Sequence, residues 1–390
     1  MDSLPPVAHP SGLPSPGPDA LEHCQCVAQH LAQHIQASPD NAIAFDEWMD
    51  LALYAPGLGY YVSGTTKLGG SQPIGDFATA PEMTPIFGYT IARQVAQILE
   101  RSQSSQILEF GAGSGALAEA VLDALHQSGL KPEYSILEVS PDLQARQKER
   151  LARFGDRVRW LQRLPDTFSG CVLANEVLDA MPVKIARREH DNTLSELYVT
   201  HGSEGFAWTT RPAHSDLHDA LDAHLPASAG YQSEINVRAE AWVRQMGSWL
   251  KRGGALLIDY GFPRHEYYHP QRSEGTLMCH FRHHAHAEPL ILPGLQDITA
   301  HVDFTAMADA ALDGGLDVLG YTSQARFLLN AGLPDIMMAH EQQPQTLSAV
   351  QKLISEAEMG ELFKVLAVGK DLDVEYPLLG FGTGDRRHRL

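Results

Sequence analysis

A short stretch from Gln106 to Gly115, QILEFGAGSG, combines one carboxylate with three closely spaced glycines. The apolar run around Glu109 is typical of a strand, and residues Ala116 to Gln127 carry apolar side chains at helical spacing. Without Cβ atoms, glycines let the backbone turn sharply and approach a nucleotide-like ligand closely. The pattern predicts a strand, a ligand-binding turn and a helix, in which the glycines are Gly111, Gly113 and Gly115.

A second carboxylate follows at the distance that a ribose partner needs. Glu138 lies in a short predicted strand, Tyr134 to Val139, about twenty residues beyond the last glycine. A carboxylate at this place can accept hydrogen bonds from both ribose hydroxyls. The glycine turn and Glu138 together predict an adenosine pocket.

Two cofactor classes fit this spacing. Gly111, Gly113 and Ala116 also satisfy the dinucleotide fingerprint G-x-G-x-x-A, so that NAD or FAD stays open on spacing alone. Glu109 before the first glycine, the additional Gly115, and the polar residues that end later strands favour S-adenosylmethionine. A turn that merely packs a helix on a strand would leave Glu138 unexplained.

Polar residues also follow a later predicted strand, Gly170 to Ala174, in the segment NEVLDAMPV. Ligands of open parallel sheets bind at the carboxyl ends of the strands, so Asn175, Glu176 and Asp179 lie where chemistry is expected. Helix capping accounts for Asn175 or Asp179 alone but not for the whole group. Another strand, Ala255 to Tyr260, brings Asp259 and Tyr260 to the same edge.

The long stretch from Ala55 to Pro85 is too rich in Gly, Pro, Ser and Thr for a core element, and we expect a functional loop. An ordinary surface loop with capped turns is the alternative. Two aromatic residues that can stack, and a compact polar group before the next helix, make up its candidate residues: Tyr60, Tyr61, Gly75, Asp76, Phe77, Thr79 and Glu82.

A histidine-rich stretch, residues 279–286, invites a zinc interpretation, but its spacing lacks the paired ligands of a closed tetrahedral site. We predict no metal. Farther along, His301 and Asp303 are the pair best suited to orient a proton acceptor.

Composition limits the partners. The net charge of −19, from 29 basic and 48 acidic residues, disfavours nucleic acid and favours a cationic substrate.

Four cysteines without a metal-type pair indicate a reducing compartment. No apolar run approaches the roughly twenty residues of a membrane span, and residues 1–20 lack the features of a signal peptide or presequence. The sequence predicts a cytoplasmic protein without membrane contact.

The order of elements gives the predicted organisation. Residues 1–20 are proline-rich and expected to be disordered, and 21–100 hold N-terminal helices and the cofactor or substrate loop. Alternating strands and helices over 101–375 predict an α/β core, interrupted at 183–236 by an antiparallel β insertion. The last two strands resemble a closing hairpin at the edge of a parallel sheet, and 376–390 form a polar tail.

The chain resembles the MidA-like family of S-adenosylmethionine-dependent methyltransferases, which includes mitochondrial assembly factors that methylate an arginine of a respiratory complex I subunit. The resemblance covers roughly residues 40–380. It rests on GDFATAPE, the turn from Glu109 to Gly115, LEVSP at Leu137 to Pro141, NEVLDAMPV, LIDYG and PGLQDITAHVDF. It implies a class I methyltransferase fold: a seven-stranded, mostly parallel, Rossmann-like sheet with helices on both faces, plus N-terminal helices and the insertion.

The resemblance also implies residue roles. The three glycines would line the cofactor, Glu138 would hold its ribose, and Asn175 with Glu176 would lie beside the methyl group; Glu109, Thr79 and Glu82 complete the expected cofactor site. An arginine acceptor needs carboxylates that hold its guanidinium and take up a proton. Glu176 and Asp179 are the expected clamp, with His301 and Asp303 opposite and Glu82 in reserve.

Other functions stay open at this point. An assembly factor that binds S-adenosylmethionine with little turnover fits the same residues. A NAD-dependent oxidoreductase would need a hydride-transfer residue such as a Tyr-x-x-x-Lys pair, which we do not find. The expected partner is a protein with a target arginine, and a homodimer is compatible with the sequence.

Overall fold

A computed structural model describes residues 12–63, 79–214, 224–340, 343–373 and 375–390. The chain divides into two compact units, each assembled from three segments. The first comprises Met1–Phe77, Ala180–Arg238 and Arg264–His301, and the second Ala78–Asp179, Ala239–Pro263 and Val302–Leu390. Glycine-turn and strand-end residues from the sequence analysis therefore fall in the second unit, whereas the β insertion falls in the first.

The described residues form the following helices and strands. The α-helices are α1 (Pro18–Ala37), α2 (Phe45–Tyr54), α3 (Ala80–Met83), α4 (Pro85–Ser102), α5 (Ala116–Gln127), α6 (Pro141–Arg150), α7 (Val237–Trp249), α8 (Arg264–Tyr267), α9 (Phe304–Asp313), α10 (Gln324–Asn330), α11 (Leu333–Ala339), α12 (Pro344–Ile354) and α13 (Met359–Leu362). The strands are β1 (Ala42–Ala44), β2 (Gln106–Phe110), β3 (Glu133–Leu137), β4 (Val158–Leu161), β5 (Phe168–Asn175), β6 (Lys184–Arg188), β7 (Leu194–Gly202), β8 (Gly205–Pro212), β9 (Gln232–Ile235), β10 (Leu250–Phe262), β11 (Met278–Phe281), β12 (His284–His286), β13 (Asp297–Thr299), β14 (Val302–Asp303), β15 (Asp317–Ser323) and β16 (Phe363–Lys370). Short 3-10 turns lie at Pro39–Asn41, Ala152–Arg157, Leu379–Phe381 and Arg387–Arg389.

The second unit is built on a mixed sheet in the order β15-β16-β10-β5-β2-β3-β4, with β14 beside β10. Neighbours from β10 to β4 run parallel, whereas β16 is antiparallel to both β10 and β15. The predicted class I sheet with an antiparallel closing hairpin is confirmed. Because β10, β5, β2 and β3 are parallel, the residues that follow them lie at one edge of the sheet.

The register aligns these strand ends. Phe110, the last residue of β2, pairs with Leu137 at the end of β3 and with Ala174 of β5. Asn175 pairs in turn with Ile258 of β10. The glycine turn, Glu138 and the segment after Asn175 thus begin at the same level of the sheet.

Helices α4 and α5 pack closely beside this sheet. At Gly88 in α4, a Cβ atom would lie 2.5 Å from the Cβ of Ala120 in α5, so the two backbones approach to a distance that only glycine allows. Helix α4 begins after Thr84, whose side chain accepts a hydrogen bond from the Ile86 N–H, and Pro85 occupies the first turn, where no N–H is needed. Burial of this apolar helix face helps to fix the glycine turn that precedes α5.

The first unit contains the antiparallel insertion. Strand β7 pairs with β1, β6 and β8, and β6 pairs with β9, all antiparallel; β11 pairs with β12 and β13 in a smaller sheet. Helices α1 and α2 supply buried side chains such as Leu31 and Trp48 to a core shared with β7. Within the described ranges, none of the helices combines the length and apolarity that a membrane span needs.

Two chain ends differ from the predicted organisation. Helix α1 begins at Pro18, inside the stretch expected to be disordered, because a proline in the first helical turn needs no hydrogen-bonded N–H. The expected polar tail is packed instead: Leu378 and Phe381 are 1% exposed and belong to the core of the second unit. Helix α4, grouped by sequence with the N-terminal helices, also belongs to that core.

Candidate active site

The glycine turn between β2 and α5 adopts left-handed backbone angles at all three of its glycines. Their φ values are +59° at Gly111, +54° at Gly113 and +84° at Gly115. The Gly111 N–H donates to the Leu137 carbonyl at 3.0 Å, which ties the turn to the end of β3. A Cβ at Gly111 would lie only 3.2 Å from Cγ2 of Val177. Residues with side chains would strain this turn, and helix α5 begins directly after it.

Glu138 follows β3 and is 7% exposed. Its Oε1 accepts the Ser140 N–H at 2.9 Å, and its Oε2 accepts Nε2 of Gln147 at 3.0 Å. Burial raises the pKa of Glu138, although both hydrogen bonds oppose that shift. Because each carboxylate oxygen has two acceptor positions, both oxygens retain capacity for a ribose hydroxyl.

Gln147 is a residue that the sequence analysis missed. It lies on α6, is fully buried, and its amide also donates to the Gly113 carbonyl at 2.8 Å. The only signal in the sequence is that α6, PDLQARQKER, lacks an apolar stripe, so that a polar residue must face inward. Gln147 joins the glycine turn to Glu138.

Glu109 is buried within the sheet rather than exposed at its edge. The side chain is 2% exposed, and Oε2 accepts the hydroxyl of fully buried Tyr134 at 2.8 Å. Burial raises the pKa of Glu109 to about 8, and the nearby charge of Glu138 adds to the rise. The buried site therefore favours the protonated form of this carboxyl group.

Asn175 ends β5, and Glu176, which follows it, has an unusual backbone conformation. Glu176 has a left-handed φ of +53°, its N–H donates to the Ile258 carbonyl at 2.9 Å, and its Oε1 accepts Nδ2 of Asn175 at 3.0 Å. A non-glycine residue in this region costs on the order of 1 kcal/mol or more, and such residues cluster at functional sites. Among the described residues, the buried Oδ1 of Asn175 has no hydrogen-bond partner.

Asp259, which the sequence placed at the ligand edge without a role, holds the segment after Glu176. It is fully buried, and its Oδ2 accepts the N–H groups of Leu178 at 3.0 Å and Asp179 at 3.2 Å. Burial raises the pKa of Asp259 well above its usual range, and the charges of Asp179 and Glu176 raise it further. We call Glu176, Asp179 and Asp259 the carboxylate cluster.

Thr79 and Glu82 lie at the start of α3. The Thr79 carbonyl accepts the Glu82 N–H at 3.0 Å. Arg150 connects this helix to the glycine turn, since its Nη1 donates to Oγ of Ser114 at 2.6 Å and lies 3.5 Å from Oε1 of Glu82. Three other candidate residues of the predicted functional loop, Gly75, Asp76 and Phe77, lie outside the described residues.

His301 and Asp303, predicted as a pair, fall in different units. The His301 backbone N–H donates to Oγ1 of Thr276 at 3.1 Å. Oδ1 of Asp303 caps helix α9 by accepting the N–H groups of Thr305 at 3.0 Å and Ala306 at 3.1 Å. This helix-capping role was not predicted, and it arises because Asp303 directly precedes α9. Across the described part of the chain, no group of three or more His, Cys, Asp or Glu side chains has an arrangement that could hold a metal ion.

Comparison with known proteins identifies the family. A family of S-adenosyl-L-methionine-dependent methyltransferases matches residues 90–322, which is more than half of the chain. The chain belongs to this methyltransferase family. The MidA-like resemblance and the predicted enzyme class are therefore confirmed.

Individual relatives and a solved structure agree with this assignment. The methyltransferase is 30% identical to mitochondrial protein arginine methyltransferase NDUFAF7 of Danio rerio, over 88% of this chain and 86% of the relative. It is 27% identical to the mitochondrial NDUFAF7 homolog of Drosophila melanogaster, over 94% and 92%. A Burkholderia thailandensis protein crystallised with S-adenosyl-homocysteine is 46% identical, with a TM-score of 0.92 over 97% of this chain and 100% of that one.

The cofactor of the methyltransferase is S-adenosyl-L-methionine, as predicted. The residues present fit this cofactor. The three left-handed glycines allow the backbone to approach it closely, and Glu138 offers acceptor positions for its ribose. The buried Oδ1 of Asn175 can accept a hydrogen bond from it. The predicted cytoplasmic location is wrong, because the relatives from Danio rerio and Drosophila melanogaster are both mitochondrial proteins.

Proposed function

We propose that the methyltransferase modifies an arginine side chain of a protein, with Glu176 and Asp179 holding the guanidinium. The carboxylate cluster carries this proposal, because Asp259 accepts the backbone N–H of Asp179 and lies close enough to Glu176 and Asp179 for their charges to raise its pKa. The Danio rerio relative, named as a protein arginine methyltransferase, supports it. The complex I subunit implied by the family resemblance is the corresponding class of substrate.

The chemistry explains why carboxylates are needed. When bound, S-adenosylmethionine supplies an electrophilic methyl group on its sulfonium. As the bond between the methyl carbon and the arginine nitrogen forms and the bond to sulfur breaks, the nitrogen must lose a proton. An arginine has a very high pKa, so a pair of carboxylates both orients its planar fork and receives that proton.

The raised pKa of Asp259 bears on this task. A carboxyl group whose pKa is raised, such as Asp259, retains a proton at pH values where ordinary aspartates have lost theirs. Entry of a cationic guanidinium lowers the pKa of neighbouring carboxyls and favours their ionisation. We assign Glu176 and Asp179 to the substrate and Asp259 to the backbone that positions them.

The remaining roles are proposed from placement. Gly111, Gly113, Gly115, Glu138 and Asn175 bind the cofactor, with Thr79 and Glu82 as further members of that site, whereas the buried Glu109 supports the turn from within the sheet. Asp303, in the same unit as the carboxylate cluster, contributes to proton handling in this proposal. An assembly factor with little turnover remains the rival, and a transfer assay separates the two.

The test is transfer of tritiated methyl groups from S-adenosylmethionine to proteins of a cell lysate, followed by hydrolysis and identification of the labelled amino acid. We expect labelled methylarginine, and at least a tenfold loss with Glu176→Gln, about what one charge-assisted contact contributes. Glu149→Gln, an exposed change on α6, is the matched control. Label on another amino acid, or none at all, contradicts the arginine proposal.

A further inference from the structure

We propose that Gln147 is a positioning residue for the cofactor, which fixes the Glu138 carboxylate in the orientation that receives the ribose hydroxyls. The inference deepens the proposed function, since it rests on the ribose-binding role of Glu138. Gln147 does not touch the cofactor in this proposal. It acts through Glu138 and through the glycine turn.

The burial of Gln147 is unusual for its helix. Helix α6 is strongly polar, and among its ten residues, all of them described, Gln147 is the one that is buried. Its exposed fraction is 0%. Burying an amide is unfavourable unless its hydrogen bonds are satisfied, so the inward orientation of Gln147 depends on its partners.

Those partners satisfy every polar group of the side chain. Nε2 donates to Oε2 of Glu138 at 3.0 Å and to the Gly113 carbonyl at 2.8 Å. Oε1 accepts Nε1 of Trp160 at 2.8 Å. A flipped amide would place its NH₂ group against the indole N–H and its oxygen against two acceptors, so only one orientation is compatible with all three bonds.

The stem of the side chain is fixed as well. A Cβ at Gly115 would lie 3.5 Å from Cγ of Gln147, which shows that the stem lies against the last glycine of the turn. One residue of α6 therefore connects the turn, the carboxylate after β3 and the indole of β4. No other side-chain chemistry reproduces this set: glutamate lacks the two donors, lysine lacks the acceptor, and asparagine is shorter by one carbon.

The functional consequence follows from the carboxylate geometry. With the Ser140 N–H on Oε1 and Gln147 on Oε2, the Glu138 carboxylate cannot rotate freely, and its remaining acceptor positions point in fixed directions. A carboxylate held in this way meets two ribose hydroxyls without first losing rotational freedom. We therefore expect Gln147 to contribute to cofactor affinity specifically through the ribose.

The experiment measures binding of S-adenosylhomocysteine, and of its 2′-deoxy and 3′-deoxy analogues, by calorimetry. Gln147→Met removes all three hydrogen bonds at nearly constant length, whereas Gln147→Glu keeps the acceptor for Trp160 and removes both donors. We expect affinity for S-adenosylhomocysteine to fall by about tenfold to a hundredfold in both variants. The loss should shrink with at least one deoxy analogue, because the contact that Gln147 supports is then already missing.

Gln144→Met is the matched control. Gln144 lies on the same helix, but its Nε2 donates to the backbone carbonyl of Glu138, at 2.8 Å, rather than to the carboxylate. We expect this variant to bind within about twofold of the parent protein, since a contact that leaves the carboxylate alone contributes little to ribose binding. Thermal unfolding of each variant shows whether it is folded; if the Gln147 variants are not, Trp160→Phe removes the partner of Oε1 and should give a smaller, ribose-dependent loss.

The outcomes distinguish the positioning role of Gln147 from the ribose-binding role of Glu138. Parent-like affinity in folded Gln147→Met, or an equal loss for S-adenosylhomocysteine and both deoxy analogues, overturns the positioning role while leaving Glu138 as the ribose residue. Parent-like affinity in Glu138→Ala removes the ribose role of Glu138, and the positioning role with it. The identity of the methyl acceptor does not enter these measurements.

Discussion

The Oδ2 atom of Asp259 accepts the backbone N–H of Asp179 at 3.2 Å, so that one acidic residue holds the main chain of another. The same oxygen accepts the Leu178 N–H, and Oδ1 accepts the Tyr260 N–H at 2.9 Å. A fully buried carboxyl within β10 thereby fixes the segment that carries the proposed substrate clamp. Burial raises the pKa of Asp259, and the charges of the neighbouring Asp179 and Glu176 raise it further.

Asp259→Asn should impair both stability and catalysis. The amide keeps one oxygen but turns an NH₂ group toward backbone donors that need an acceptor, so we expect a loss of about 1–3 kcal/mol in the free energy of unfolding. We also expect kcat/KM for methyl transfer to fall at least tenfold. Urea unfolding and steady-state kinetics measure the two effects.

The control for this prediction is Asp317→Asn, an exposed change on β15, which should leave both stability and kcat/KM near parent values. A parent-like kcat/KM in folded Asp259→Asn would show that Asp259 is not needed to position the substrate clamp.

Glu109 gives a prediction for the pH dependence of stability. Its pKa of about 8 in the folded protein lies above the ordinary 4.5, so the fold favours the protonated form. This contribution is fully present below about pH 4.5 and is lost as pH rises through about 8. Glu109→Gln cannot ionise and should lose less stability than the parent between pH 5 and pH 8, by on the order of 3 kcal/mol. Identical pH slopes in urea unfolding would contradict the raised pKa.

Gly115→Ala tests whether the glycine turn serves the cofactor or only the fold. Both Gly115 and Gly129 have a φ of +84°, and a Cβ at either position meets no atom closer than ordinary contact distance. Each alanine variant should therefore lose about 1 kcal/mol of stability from backbone strain. Only Gly115→Ala should also weaken binding of S-adenosylhomocysteine, because Gly129 lies in the loop before β3. Calorimetry measures the affinity of each variant for S-adenosylhomocysteine. Equal affinities in the two variants would mean that the turn does not contact the cofactor.

Asp303 allows capping and catalysis to be separated. Asp303→Ala removes the acceptor for the N–H groups of Thr305 and Ala306 and should cost about 1 kcal/mol of stability. Asp303→Asn retains a capping oxygen but not the charge, so its stability should stay near that of the parent. Because Asp303 is assigned to proton handling, we expect the Asn variant to lose methyl transfer although it remains stable. Parent-like transfer in Asp303→Asn would leave the residue with the capping role alone.

The sequence by itself determined the elements that local pattern can encode. Glycines at alternate positions after an apolar run predicted the turn, and polar residues directly after strands predicted the ligand edge, because parallel strands place their carboxyl ends together. Asn175 ends β5, Glu176 directly follows it, and Glu138 directly follows β3, although the sequence had placed Glu138 inside its strand. The antiparallel insertion was likewise visible as alternation along short segments.

Only the tertiary structure decided which side chains meet. Gln147 and Trp160 come from different elements, and Asp259 lies 80 residues from the N–H of Asp179 that it binds, so no local pattern reports their contact. Burial decided the protonation of Glu109, which depends on Tyr134 and on the surrounding sheet rather than on its neighbours in sequence. Hydrogen bonding between distant segments and desolvation are properties of the packed molecule, and for that reason the sequence predicted where the site lies but not how its residues are held.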